Sequence, residues 1–78
     1  MKTSFRQYAQ IKGIELMRED IKFLKAKLAR MSPNAHRGVL AHYADEWYLG
    51  MQETKISYQQ QGYGRRRANL YMLSLEKN

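Results

Sequence analysis

The stretch IELMREDIKFLKAKLARM, residues 14–31, carries the clearest structural signal in the chain. Its apolar residues recur at alternating steps of three and four positions: Ile14, Met17, Ile21, Leu24, Leu28 and Met31. This spacing places them on one face of an α-helix. Leu16 and Phe23 widen the face to about half of the helix surface, which favours a packed helical bundle over a narrow coiled-coil seam. The stretch therefore predicts an amphipathic helix that packs against other helices.

This first helix is predicted to begin near Phe5. Ser4 followed by Gln7 matches a capping box, in which each side chain accepts a hydrogen bond from the backbone N–H of the other residue. Gly13 interrupts the apolar register, which predicts a kink or a first turn that faces a different neighbour. We therefore expect a helix over residues 4–31.

A second helix is predicted over residues 33–61. Pro33 suits the first position of a helix, and Ser32 precedes it as a cap. The apolar face of this helix carries Leu40, Tyr43, Ala44, Trp47, Met51 and Tyr58. Gly38 and Gly50 lie within the helix, and we interpret both as positions of close helix–helix approach. Because the two helices have similar lengths and a short turn, they are expected to form a long antiparallel αα-hairpin.

The C-terminal region is predicted to form a short third helix over residues 65–77, after Gly62 and Gly64 end the second helix. The apolar run at residues 69–75 is too short for periodicity to separate helix from strand. We favour a helix because no partner strand is evident. The predicted fold class is all-α, with a single small domain over residues 1–78. A homodimer would complete it as a helical bundle, since its wide apolar face would stay partly exposed in a monomer.

The chain is basic, and the positive charge is concentrated at its two ends. It contains 14 Lys and Arg against 7 Asp and Glu, a net charge of +7. Residues 1–31 carry +5, residues 32–58 carry −1 and residues 59–78 carry +3. Basic proteins concentrate near polyanions and bind them in a salt-dependent way. The expected partner is therefore nucleic acid or an acidic protein surface.

The sequence GYGRRR, residues 62–67, is the leading candidate for a binding site. The N-terminus of a helix is the positive end of its dipole and repels positive charges. At the start of the predicted third helix, Arg65, Arg66 and Arg67 would therefore reduce stability. A bound phosphate would reverse that effect. Tyr63 is placed to stack on a base or a ribose. The competing interpretation is a solvated link between two helices.

A second basic strip lies on the first predicted helix, away from its apolar face. Its members are Arg18, Lys22 and Lys25. Glu15 and Glu19 are interleaved with them and dilute the charge. A solvated exterior with a few ion pairs is therefore the alternative to a dedicated binding surface.

Motifs that enzymes and metal proteins rely on are missing from the sequence. The chain has no cysteine, and it contains no HExxH, Walker A or GxGxxG pattern. His42, Asp45 and Glu46 share one side of a predicted helix, but an ordinary polar helix face explains them better than a metal site. We expect no enzymatic activity, no metal and no cofactor.

Two function classes follow from these observations. The first is a small basic helical nucleic-acid-binding accessory or regulatory protein. The second is a phage- or plasmid-type modulator or inhibitor that docks on a host protein or nucleoprotein complex through basic and aromatic residues. No apolar run approaches the roughly 20 residues that span a bilayer. The N-terminus lacks a signal-type apolar core. We therefore expect a cytoplasmic location and no membrane partner.

Overall fold

The structure is a computed structural model, and it describes residues 4–77. This part of the chain contains four α-helices. They are α1 (Phe5–Ile11), α2 (Arg18–Leu28), α3 (Pro33–Met51) and α4 (Ser57–Ser74), followed by a 3₁₀ turn at Leu75–Lys77. No β-strand occurs within residues 4–77. The predicted all-α class is confirmed, and residues 69–75 are helical as expected.

The first predicted helix is divided at Gly13. α1 begins with the predicted capping box, in which the Ser4 N–H donates to Gln7 Oε1 at 3.0 Å and the Gln7 N–H donates to Ser4 Oγ at 3.2 Å. Gly13 adopts a left-handed φ of +78°, which glycine tolerates at little steric cost. A continuous helix over residues 4–31 is therefore wrong. The backbone turns at Gly13, and residues 12–17, called here the 12–17 link, connect α1 to α2.

α2 begins at a cap that its own third residue provides. Met17 has extended backbone, with φ −99° and ψ 167°, and its N–H donates to the Asp20 carboxylate at 2.8 Å. The Asp20 side chain is buried, which fixes this cap against the rest of the molecule. The next helix, α3, starts at Pro33 as the sequence predicts.

The junction between α3 and α4 also differs from the predicted one. α3 ends at Met51, so a helix continuing over residues 33–61 is wrong. α4 runs through both Gly62 and Gly64, and the expectation that these glycines end a helix is also wrong. The residues predicted as a separate helix over 65–77 are the second half of α4 and the turn that follows it.

Gly50 and Gly64 lie where α3 and α4 pack closely against each other. A Cβ at Gly64 would lie 2.6 Å from the Trp47 carbonyl oxygen, and a Cβ at Gly50 would lie 2.6 Å from the Tyr63 carbonyl oxygen. Both glycines therefore let α3 and α4 approach closely as an antiparallel pair. The predicted close approach is confirmed at Gly50. It is wrong at Gly38, where an added Cβ would meet nothing within 4 Å.

The core lies between α3 and α4, and residues of α1, the 12–17 link and α2 complete it. Trp47, Tyr43 and Met72 are its largest fully buried side chains. The other buried apolar residues are Ala9, Ile14, Leu24, Ala44, Met51 and Ala68. Trp47, which the sequence places on the apolar face of the second predicted helix, is fully buried, and Leu24 belongs to the same core. Trp47 needs no second copy of the chain to cover it, and the homodimer stays a prediction.

Candidate anion-binding groove

A groove of about 510 Å³ opens between α1, the 12–17 link and α2. Four basic side chains line it: Arg6, Arg18, Lys22 and Lys25. Its apolar part is formed by Ala9, Ile14, Leu16, Met17 and Ile21. None of the described residues that line this space is acidic. We call it the basic groove.

The helical repeat of α2 directs three of the four cations towards this groove. At 3.6 residues per turn, one side of α2 carries Arg18, Lys22 and Lys25. Asp20 and Leu24 lie on the opposite side and are buried. The basic strip that the sequence predicts on this helix is thus brought together in space. Arg6 joins it from α1 because the backbone turns at Gly13.

The four cations of the basic groove make no ion pair within residues 4–77. The ion pairs of this part of the chain use five of the seven acidic residues: Asp20, Asp45, Glu46, Glu53 and Glu76. Their basic partners are Lys12, Lys27, Arg30, Arg65 and Arg67. The two remaining acids, Glu15 and Glu19, are exposed and do not line the basic groove, so its lining carries a net positive charge that attracts anions.

Arg65 is placed differently from the sequence-based expectation. It lies in the middle of α4, so the argument from a helix N-terminus does not apply to it. Its guanidinium donates to the two Asp20 carboxylate oxygens at 2.9 and 3.2 Å and lies 4.9 Å from the centre of the Trp47 ring. These contacts assign Arg65 a structural role between α2 and α4, and its role in binding stays a prediction.

The other two arginines of the run leave α4 in different directions, because successive helical residues are about 100° apart. Arg67 contacts the carboxylates of Glu53 at 2.8 Å and Glu46 at 3.3 Å. The hydrogen bond to Glu53, and to a smaller extent the one to Glu46, raises the pKa of Arg67. Arg66 is exposed and makes no ion pair within the described part of the chain. Tyr63 is also exposed and lies beside Arg66 in a second cleft. The three arginines are therefore not presented together: Arg65 contacts α2, whereas Arg66 and Arg67 both line the second cleft.

Gln61 connects the basic groove to the core, and the sequence analysis did not single it out. Its Oε1 accepts the Trp47 indole N–H at 3.0 Å and the Glu15 N–H at 2.9 Å. Its Nε2 donates to the Gly13 carbonyl at 2.9 Å. The amide of one α4 residue thus binds the backbone of Gly13 and Glu15 within the 12–17 link and satisfies the buried indole. Nothing in a run of three glutamines distinguishes this residue in advance.

The residues weighed as metal ligands have other neighbours. The His42 ring stacks on Tyr71 with 4.1 Å between ring centres. Asp45 accepts a hydrogen bond from Tyr8, and Glu46 pairs with Arg67. Among residues 4–77, no group of three or more histidine and carboxylate side chains is arranged to hold a metal ion.

Within the described residues, no helix is both long enough and apolar enough to cross a membrane. Comparison of the chain with protein-family models, with curated proteins and with solved structures gives no match.

Proposed function

We propose that this protein binds nucleic acid through the basic groove, as a non-enzymatic accessory or regulatory factor. The observation that supports this most is the convergence of four cations without ion pairs, from α1 and α2, on one concave surface that has no acidic lining residue. The phosphate backbone of DNA or RNA is the abundant cellular polymer that matches such a surface.

The chemistry of the groove favours backbone contacts over reading of the base sequence. Arg6 and Arg18 offer planar guanidinium groups that bond phosphate oxygens in pairs, while Lys22 and Lys25 act as compact charges. Arg18 and Lys25 are separated by about 10 Å along the axis of α2, at 1.5 Å per residue. The cations thus extend along a surface that accommodates several phosphates. The apolar part of the groove lies beside them for contact with sugars.

The test is the salt dependence of binding to oligonucleotides. Fluorescence anisotropy with a labelled 16-base-pair duplex and a labelled single strand gives the affinity at several salt concentrations. Four phosphate contacts correspond to a slope of log affinity against log salt of about −3.6 for duplex DNA. Replacing two of the four cations, in Lys22→Gln/Lys25→Gln, is expected to flatten that slope by about two units.

The control keeps the net charge equal. Arg37→Gln/Lys55→Gln also removes two cations, but both are exposed residues outside the basic groove. This variant is expected to bind with nearly the slope of the parent. Equal slopes for the two double variants would show that only the total charge matters. Failure of the parent to bind either oligonucleotide would reject the proposed function.

A further inference from the structure

The side of α4 that faces away from the core carries an exposed stripe. Tyr63, Arg66, Leu70 and Leu73 follow one another at spacings that place them on one side of the helix. The exposed fraction is 44 % for Tyr63, 58 % for Leu70 and 41 % for Leu73. The buried residues of α4 lie on its other side: Gly64, Ala68 and Met72. We call the four exposed residues the α4 stripe.

The α4 stripe borders a cleft of about 600 Å³ next to the end of α3. Besides residues of the stripe, the cleft is lined by Glu53, Gln59, Gly62 and Arg67. Tyr63 and Leu70 provide its large apolar surfaces. A concave strip along a helix, with apolar side chains one to two turns apart, is a surface on which an amphipathic helix packs.

Gly62 leaves the wall of this cleft open to a close approach. A Cβ at this position would meet nothing within 4 Å, whereas Gly64 and Gly50 are required by close contacts. A glycine inside a helix costs about 1 kcal/mol relative to alanine. Gly38 is equally open, but only Gly62 lines the cleft beside the α4 stripe. A missing side chain beside an apolar cleft does permit the close approach of another molecule.

The charge of the cleft defines the chemistry of that partner. Glu53 and Arg67 lie 2.8 Å apart and compensate one another. Arg66 makes no ion pair within residues 4–77 and lies between the apolar residues of the stripe. A complementary ligand therefore carries a carboxylate flanked by apolar side chains.

We propose that the α4 stripe docks an acidic amphipathic helix of another protein, one that presents aliphatic residues at helical spacing with an Asp or Glu among them. A second copy of this chain fits less well. The stripe contains no carboxylate, so two α4 stripes packed against each other would bring two Arg66 side chains together without a counter-charge. This surface shares no lining residue with the basic groove.

The experiment is a selection of random 16-residue peptides, displayed on phage, against the immobilised full chain at 150 mM salt. Enriched sequences are expected to contain Asp or Glu among aliphatic residues spaced three or four positions apart. A synthetic copy of an enriched peptide is expected to gain helix signal in circular dichroism on binding. Selection of sequences that lack acidic residues would overturn the proposal.

Four forms of the protein locate the binding site of the enriched peptide. Arg66→Glu and Gly62→Gln are each expected to weaken binding at least tenfold. Both residues are exposed, so both variants are expected to fold, which circular dichroism verifies. Lys22→Gln/Lys25→Gln is expected to bind the peptide as the parent does. Loss of binding in this double variant, or full binding by Arg66→Glu and Gly62→Gln, would overturn the proposal.

Two further outcomes exclude the other occupants. Sedimentation equilibrium that shows self-association abolished by Gly62→Gln would assign the stripe to a second copy and reject the proposal. Weaker oligonucleotide binding by Arg66→Glu than by an equal charge change at Arg37 would assign the stripe to nucleic acid and reject it as well. The proposed function is tested separately, because its variants lie in the basic groove.

Discussion

Arg65 and Asp20 form a two-pronged ion pair between α4 and the first turn of α2, with N–O distances of 2.9 and 3.2 Å. Asp20 is 4 % exposed, and its carboxylate also accepts the Met17 N–H at the start of α2. The Arg65 guanidinium in turn lies against the Trp47 ring. One contact therefore fixes the helix that carries most of the basic groove to the centre of the core.

The first prediction concerns this ion pair. Asp20→Ala leaves a partly buried guanidinium without a counter-charge and removes the cap of α2. We expect a loss of roughly 2–4 kcal/mol in unfolding free energy, because an unpaired buried charge is costly. Partial solvent exposure of the Arg65 side chain limits that cost. Urea denaturation of the parent and of Asp20→Ala measures this difference in unfolding free energy. Glu19→Ala, one residue earlier and exposed, is the control and should change stability by less than about 0.5 kcal/mol. Similar values for the two variants would contradict the assigned role.

The second prediction compares two glycines of the same helix. Gly64→Ala places a methyl group against the Trp47 backbone and ring, and should destabilise the protein by about 1–3 kcal/mol through overpacking. Gly62→Ala places the same group in open space and should stabilise the protein by up to about 1 kcal/mol through helix propensity. The melting temperature should therefore fall in Gly64→Ala and rise in Gly62→Ala. A shift of the same sign in both variants would show that the α3–α4 crossing is placed incorrectly.

The third prediction uses the run of three glutamines as its own control. Gln61→Ala leaves the buried Trp47 N–H without an acceptor and releases the 12–17 link. We expect a loss of about 2–3 kcal/mol, the cost of an unsatisfied buried donor together with the lost backbone contacts. Gln60→Ala should be nearly neutral. Fluorescence of Trp47, the sole tryptophan of the chain, reports the altered environment in the same samples. Equal stability of the two variants would argue against the Gln61 hydrogen bonds.

Local signals in the sequence predicted parts of the fold correctly. The Ser4–Gln7 capping box and the start of α3 at Pro33 depend on neighbouring residues only, and both are found. The burial of Trp47 also followed from its position on the apolar face of a predicted helix.

Glycines were ambiguous, because the same residue permits a turn or a close contact. Gly13 was predicted to mark a kink or a first turn that faces a different neighbour, and it lies in the link that separates α1 from α2. Gly62 and Gly64 were predicted to end a helix and lie inside one. The sequence does not state which tertiary contact each glycine serves. Element boundaries were therefore less predictable than the all-α class.

The candidate site was predictable only where it lies on one helix. Arg18, Lys22 and Lys25 share a face of α2, so helical spacing alone groups them. Arg6 joins them through the turn at Gly13, whose direction the sequence does not encode locally. The predicted helix start at the arginine run was wrong because the run lies inside α4, and the part of these arginines in binding stays a prediction. Asp20, the partner of Arg65, is 45 residues away from it in the chain.

The fourth prediction concerns the C-terminal end of the described chain. Lys27 of α2 donates to the Glu76 carboxylate at 2.7 Å, and Arg30 lies 4.0 Å from the same oxygen. The hydrogen bond from Lys27 lowers the pKa of Glu76 below its ordinary value of 4.5, partial burial opposes this shift, and the charges of Lys27 and Arg30 add to it. A lowered pKa in the folded state means that the ionised carboxylate is favoured by folding. The contact therefore stabilises the fold above the ordinary pKa, and this contribution is lost as the pH falls from 4.5 through the lowered value.

Carboxyl-carbon NMR measures this pKa directly. In Lys27→Gln, the pKa of Glu76 should rise towards its ordinary value, because the charged donor is gone and Arg30 alone remains nearby. Lys25→Gln, which removes a cation of the basic groove from the same helix, should leave the titration of Glu76 unchanged. The acid side of the stability curve should likewise become flatter in Lys27→Gln and keep its shape in Lys25→Gln. An identical Glu76 titration in the parent and in Lys27→Gln would mean that the C-terminal turn does not rest against α2 in solution, since a hydrogen-bonded cation at this distance cannot be removed without a response from the carboxylate.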